Sequence, residues 1–427
     1  MQPYSFTIKE ASEKLAKGEI SSVELTQSVL VQAKNVEPKI GAYITLCEEK
    51  ALEMAQKSDK QYAISHNRIS PLDGIPIAVK DLFLTKDIKT TAGSKILEDF
   101  IPAYESTVTT KLWEAGAVLV GKTNLDQFAM GSSTETSVYK TATNFDSTTR
   151  NPWDTDRIPG GSSGGSAVAV AADECIAAVG TDTGGSIRQP ASHCSVTGLK
   201  PTYGRVSRYG IMAMASSLDQ AGPITKTVED SSILLKYISG YDRNDSTSSK
   251  NEVGDYHKNL QTDLKGVRVG IPKEFFAEGL DPRIGEIIRD QIKVLESLGA
   301  KTIEVSLPMI HYALAVYYIL MPAEVSSNLA RYDGIHYGSS ILKSEELKQR
   351  AHNLLDVYNI SRAGGFGAEA KRRIMLGSYV LSAGYYDSPA PRARPRLRPG
   401  GSRRARSPSR ARSRSRGTRT RCRPPRR

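Results

Sequence analysis

Two glycine-serine runs and one lysine are the residues in this chain best suited to do chemistry together. The first run, Pro159-Gly-Gly-Ser-Ser-Gly-Gly-Ser166, leads into the small apolar stretch 167–172, which reads as a helix. The second, Asp182-Thr-Gly-Gly-Ser-Ile-Arg-Gln-Pro190, follows the apolar stretch 176–179. Glycines before a serine let consecutive backbone N–H groups point at one spot, the geometry that an oxyanion requires. A serine is a weak nucleophile until a base takes its proton. Of six histidines only His193 lies near either run, and its place seven residues after Ser186 suits a structural side chain better than a base. Lys80 is the better candidate because it ends the apolar run Gly74-Ile-Pro-Ile-Ala-Val79. If that run is a buried strand, desolvation strips the amine of its proton and lets it act as a base. The plain alternative is a surface lysine paired with its neighbour Asp81.

Two further patterns fail on context. Gly160-Gly-Ser-Ser-Gly164 fits a G-x-S-x-G nucleophile elbow, but the polar, proline-bounded segment before it is no strand. Gly116-Ala-Val-Leu-Val-Gly-Lys-Thr123 fits a phosphate-binding loop, yet a helix is expected before Gly116 and the intervening residues read as a strand.

The elements that must position these residues alternate. Ser21 and Glu24 form a capping-box pattern ahead of Leu25, Val29, Ala33 and Val36, and Pro38 is expected to stop that helix. Ser106 caps a helix with Val108, Leu112 and Ala115 on one face; Gly116 ends it and 117–120 follows as a buried strand. A second unit starts with a strand at 267–271. Asp281 and Pro282 then open a helix carrying Ile284, Ile287, Ile288, Ile292, Leu295 and Leu298, closed by Gly299, and 302–307 is the next strand. Strand, helix, strand with short loops gives an α/β class with parallel pairing.

Composition bounds the rest. A chain of 427 residues with 39% hydrophobic residues buries a large core. It holds no apolar run long enough for a membrane helix, so no membrane role is expected. Cys47, Cys175, Cys194 and Cys422 are scattered without metal-ligand or disulfide-framework spacing, which points to a reducing, cytoplasmic setting and to no metal. The start of the chain reads as neither a secretion signal nor a transit peptide. Sixteen arginines lie in 388–427; removing their charge from the net +12 leaves −4 for 1–387. The body is therefore mildly acidic and gives no electrostatic reason to bind nucleic acid.

Lys80, the Gly-Gly-Ser-Ser-Gly-Gly-Ser run and the Asp-Thr-Gly-Gly-Ser-Ile-Arg-Gln-Pro run, in that order and with Ser186 lying 24 positions after Ser162, resemble the amidase signature family. The segments at 124–137, 198–208, 217–223 and 371–377 are similar to its branch of A subunits from glutamyl-tRNA(Gln) amidotransferases. The resemblance covers 1–387. It implies one catalytic domain with a large mixed β-sheet flanked by helices on both faces. It implies Ser186 as the acyl-ester nucleophile, Ser162 as a proton relay held through a cis peptide bond, and Lys80 as the general base. It implies that the N–H groups of Thr183, Gly184, Gly185 and Ser186 hold the oxyanion and that Arg373 holds the carboxylate of a glutamine substrate. On its own Arg373 reads equally as a helix-surface arginine beside Lys371 and Arg372. The resemblance further implies B and C partner subunits, Glu-tRNA(Gln) reached through the complex, and no cofactor in this chain; ATP and Mg2+ belong to the B subunit.

After Asp387 the text departs from the family, which continues with strands, helices and an acidic residue for the substrate amine. Lysine vanishes and arginine alternates with serine, proline and alanine. Residues 388–427 read as a disordered tail from a reading-frame shift or a fusion. Two other functions compete with the branch reading. One is a free-standing amidase acting on another small amide; the other is an RNA-binding protein working through the arginine-rich tail.

Overall fold

The computed structural model describes residues 2–139, 149–258, 260 and 263–382; Cys422 and the arginine-rich segment 388–427 lie outside them. In chain order the first half runs α1 (Ile8–Lys17), α2 (Ser22–Ile40), β1 (Tyr43–Leu46), α3 (Glu48–Ser65), β2 (Pro76–Lys80), α4 (Thr107–Glu114) and β3 (Val118–Thr123). There follow α5 (Gly164–Ala171), β4 (Ala177–Asp182), α6 (Arg188–His193), β5 (Thr197–Gly198), β6 (Gln220–Thr225) and α7 (Val228–Ile238). The last part holds β7 (Arg268–Pro272), α8 (Pro282–Ser297), β8 (Lys301–Val305), α9 (Ala313–Leu329), α10 (Glu345–Lys348), α11 (Leu354–Gly365) and α12 (Ala368–Val380). One compact unit, Met1–Tyr386, contains all of them.

Local signals act largely as read. Ser21 accepts the Glu24 N–H while the Glu24 carboxylate accepts the Ser21 N–H, so a reciprocal cap opens α2. Pro38, expected to stop that helix, instead sits inside its last turn, and the helix reaches Ile40 before the Gly41 N–H closes on Glu37 C=O at 2.9 Å. A proline withdraws one donor from the ladder, and the buried face of Leu25, Val29 and Ala33 supplies packing enough to hold two more residues. Ser106 caps α4 through the Thr109 N–H at 3.1 Å.

β1 to β6 make one mixed sheet in the order β1-β3-β2-β4-β6-β5. β2 lies inside it, parallel to β3 on one side and to β4 on the other, while β6 runs antiparallel to β4. Every residue of β2, β3, β4 and β6 is buried, as continuous apolar runs in a covered sheet require. This is the mixed α/β arrangement expected, and it places Lys80 and Asp182 at the same ends of adjacent parallel strands.

The second unit, β7-α8-β8, forms with the expected parallel pairing, but its two strands bond only to each other. The isoleucines of α8 do not make a core face: Ile284, Ile287 and Ile288 are exposed. Their spacing encodes an amphipathic helix, and among the described residues only β8 packs closely against it.

Candidate active site

Lys80 is fully buried at the end of β2, and the Lys80–Asp81 surface pair does not exist. Asp81 instead pairs with Lys122 at 3.1 Å, both wholly inaccessible, and takes the Thr91 N–H and hydroxyl at 2.8 and 2.6 Å. Lys122, the lysine of the phosphate-loop pattern, is thus committed within the core. It lies in the strand β3, as the rejection of that pattern requires.

The Lys80 Nζ sits among three hydroxyls: Ser162 Oγ at 2.7 Å, Ser163 Oγ at 2.9 Å and Thr181 Oγ1 at 2.9 Å. Burial drives its pKa down to about 7, against the pull of the Asp126, Asp182 and Asp219 carboxylates. The hydroxyls decide what a neutral amine would do there. Ser163 gives its own proton to Thr181 C=O at 3.1 Å, so towards Lys80 it accepts. A neutral amine has two protons and one lone pair. One amine proton goes to Ser163, and the lone pair is open to a proton from Ser162 or from Thr181, whose hydroxyls have no other acceptor among the described residues.

Ser162 is fixed by the backbone of its loop. The Gly161–Ser162 peptide is cis, the Gly161 N–H donates to Gln189 Oε1 at 2.8 Å, and Ser162 C=O accepts the Asp126 N–H at 3.3 Å. Gly161 has no alternative, because a Cβ there would run into the Asp126 carboxylate and the backbone at Ser132 and Ser133. Asp126 is itself tied down by the Thr134 N–H at 2.9 Å and the Thr136 hydroxyl at 2.9 Å. Burial raises its pKa, and those bonds resist the rise.

The second loop meets the first where Ser163 N–H donates to Ser186 C=O at 3.0 Å. The Ser186 side chain is 8% exposed in residue terms, and its hydroxyl makes no hydrogen bond among the described residues, Ser162 included. Asp182 organises the turn that carries it, accepting the N–H groups of Gly185, Ile187 and Arg188 and a two-pronged contact from the Arg188 guanidinium. Burial alone would raise the Asp182 pKa; the Arg188 and backbone donors bring it below the ordinary value. Of the four N–H groups expected to face an oxyanion, that of Gly185 is therefore already given to Asp182 at 2.8 Å. Gly184 and Ser186 donate to no acceptor among the described residues.

Arg373, on α12, is buried at 7% exposure rather than lying on the helix surface. Its Nε donates to Glu369 at 2.6 Å and its Nη1 faces Met321 Sδ at 3.5 Å. The Tyr317 phenol, raised by burial, also touches Arg373, and the same ring stands where a Cβ on Gly184 would fall, 2.9 Å from Cε2. A chain of contacts thus joins Arg373 to the serine loop. His193 closes α6 as an exposed residue, apart from the Lys80 cluster.

Ser163 and Thr181, the other hydroxyl partners of Lys80, and Asp126 and Asp219, among its charged surroundings, were not among the candidates read from the sequence. Thr181 had a signal, since it directly precedes Asp182 in a strand neighbouring β2. Asp126 and Asp219 had none beyond lying in segments already singled out. Among the described residues no group of three or more His, Cys, Asp or Glu side chains could hold a metal ion, and no helix is long and apolar enough to cross a membrane.

Comparison with known proteins points one way. A family model described as Amidase matches residues 24–405. The glutamyl-tRNA(Gln) amidotransferase of Desulfatibacillum aliphaticivorans has an A subunit 56% identical to this chain over 389 residues, which cover 91% of this chain and 77% of that protein. The crystal structure of the corresponding A subunit from Thermotoga maritima superposes with a TM-score of 0.69 at 41% identity, covering 90% of this chain and 73% of that one. The native peptide amidase from Stenotrophomonas maltophilia gives a TM-score of 0.74 at 30% identity, covering 89% and 77%.

Proposed function

The chain belongs to the amidase family, and from that premise we propose that it is the glutamine-hydrolysing subunit of a tRNA-dependent amidotransferase. The relatives sharing more than half of their aligned residues with it are named as A subunits of glutamyl-tRNA(Gln) amidotransferases, which supports this over a free-standing amidase.

In the reaction Ser186 Oγ attacks the side-chain amide carbon of glutamine. The Ser186 proton moves to Ser162 Oγ as the Ser162 proton moves to neutral Lys80. The carbonyl electrons collect on oxygen, facing the N–H groups of Gly184 and Ser186, with Thr183 at the start of the turn. The C–N bond then breaks, and the proton held on Lys80 returns through Ser162 to the departing nitrogen as ammonia leaves. A water molecule, deprotonated by the same relay, hydrolyses the glutamyl ester and restores Ser186. Buried and pre-aimed donors of this kind are worth on the order of 100- to 1000-fold in rate each. Arg373 is the group we assign to the glutamine carboxylate, a task suited to a planar two-pronged donor.

The ammonia would be consumed by the complex: its B subunit uses ATP and Mg2+ to activate Glu-tRNA(Gln), and its C subunit joins the pair. We place that complex in the cytoplasm or an organelle matrix. Neither ATP nor Mg2+ has a role in the chemistry of Lys80, Ser162 and Ser186.

The observation that carries the proposal is the burial of Lys80 with its Nζ 2.7 Å from Ser162 Oγ. The test is ammonia release from glutamine by the full chain with its partner subunits, beside Ser186→Ala. Loss of release in the variant is expected. A variant that hydrolyses glutamine as fast as the parent, or rapid partner-independent turnover of other amides in preference to glutamine, would overturn it.

A further inference from the structure

Asp219 stands outside the two serine loops, 33 residues after Ser186, yet the sheet delivers it to them. β4 and β6 are antiparallel with Asp182 opposite Gln220, so Asp219 falls beside Thr183. Its carboxylate takes the Thr183 hydroxyl at 2.6 Å, the Met214 N–H at 2.8 Å and the Ala215 N–H at 3.1 Å. It is 7% exposed. Burial raises its pKa to about 6, against hydrogen bonds from Thr183, Ala215 and Met214 and the pull of Lys80. It shares a cavity of about 210 Å³ with Thr181, Arg208, Asp245 and Arg331. Tyr317 on α9 also feels its charge.

Thr183 is the first residue of the turn Thr183-Gly184-Gly185-Ser186, and its side chain has no other anchor among the described residues. Asp182 already grips the far end of that turn through Gly185, Ile187 and Arg188, so Asp219 grips the near end.

The geometry points to Asp219 as a positioning residue for the hydrolytic reaction, anchoring the oxyanion turn through the Thr183 hydroxyl. The inference rests on the proposed function for its substrate. A carboxylate that merely filled space would leave turnover indifferent to the hydroxyl of Thr183.

The test acts on the bond itself. Thr183→Val keeps every charge and deletes the hydrogen bond; kcat for glutamine should fall by about 10-fold or more, as expected for a bond to a charged acceptor, with less change in KM. Thr183→Ser should recover most of that loss. Asp219→Asn weakens the same bond from the other side, so the Thr183→Val/Asp219→Asn double variant should be no slower than the slower single variant. A Thr183→Val enzyme as fast as the parent, a Thr183→Ser enzyme as slow as Thr183→Val, or fully additive losses in the double variant overturns the inference. If Asp219→Asn does not fold, the threonine pair still decides the claim. If the parent releases no ammonia from glutamine, the substrate reading has failed, while the same variants assayed on another primary amide still judge Asp219.

Discussion

Replacing Lys80 with methionine removes a buried amine of similar shape and should change stability with a sign that depends on pH. The unfolded chain holds the Lys80 proton up to its ordinary value of 10.5, whereas the folded protein releases it at about 7. Between those values the unfolded state binds the extra proton, so raising pH favours the fold; below 7 and above 10.5 the two states titrate alike. The burden of burying Lys80 is therefore fully present at pH 7 and below, where it amounts to roughly 4–5 kcal/mol, and fades at about 1.4 kcal/mol per pH unit above that. Methionine escapes this burden but leaves Ser162, Ser163 and Thr181 without the amine, a loss of roughly 2–3 kcal/mol over three bonds. Lys80→Met should thus be inactive, more stable than the parent by roughly 2 kcal/mol at pH 7, and less stable above about pH 9. Urea unfolding of both proteins at pH 7, 8, 9 and 10 measures the difference, in which titrations common to both cancel. A stability difference that does not vary with pH would mean that Lys80 titrates normally, and the base assignment would fall with it.

Three further outcomes are expected. Gly184→Ala drives a Cβ to 2.9 Å from the Tyr317 ring and should lower kcat/KM by about 10- to 100-fold, with partial recovery in a Gly184→Ala/Tyr317→Ala double variant; a fully active Gly184→Ala would show that the turn tolerates displacement. Arg373→Lys exchanges a planar donor for a point charge and should raise KM for glutamine about 10-fold with less change in kcat, whereas steady-state kinetics with an unchanged KM would make Arg373 structural. Glu37 and Glu174 form a buried carboxylate pair: burial raises Glu37 to about 7 and Glu174 well above the ordinary carboxylate value, and neither Glu174 side-chain oxygen has a hydrogen-bond partner among the described residues. Because the folded state then holds extra protons above the ordinary carboxylate value of 4.5, stability is lost as pH rises from about 4.5 towards 7, and Glu174→Gln should lessen that loss in thermal melts between pH 5 and 8.

The catalytic candidates were legible because their chemistry is local in sequence. A lysine closing an apolar strand and a serine behind two glycines are visible in a few residues. Their partners were not. Thr181 and Ser163 meet Lys80 only because β2 and β4 are parallel neighbours with Val79 beside Val179, and pairing register is set by the whole sheet. Asp219 reaches Thr183 through the register of β6, information that no short window contains. The N–H of Gly185 illustrates the opposite limit: spacing pointed it at an oxyanion, and the carboxylate of Asp182, three residues earlier, had taken it. Periodicity located the helix α8 but not its neighbours, since Ile284, Ile287 and Ile288 are exposed among the described residues. A pattern states which face wants a partner, not whether one is present.

If neutral Lys80 draws the Ser186 proton through Ser162, the glutamyl ester can be trapped by quenching the full chain and its partner subunits in acid during glutamine turnover and mapping the esterified peptide by mass spectrometry. The ester should sit on Ser186, accumulate in the parent above pH 7 and be lost in Ser162→Ala and Lys80→Met. An ester on Ser162, or one that forms on Ser186 at the parental rate without Lys80, would rule the relay out.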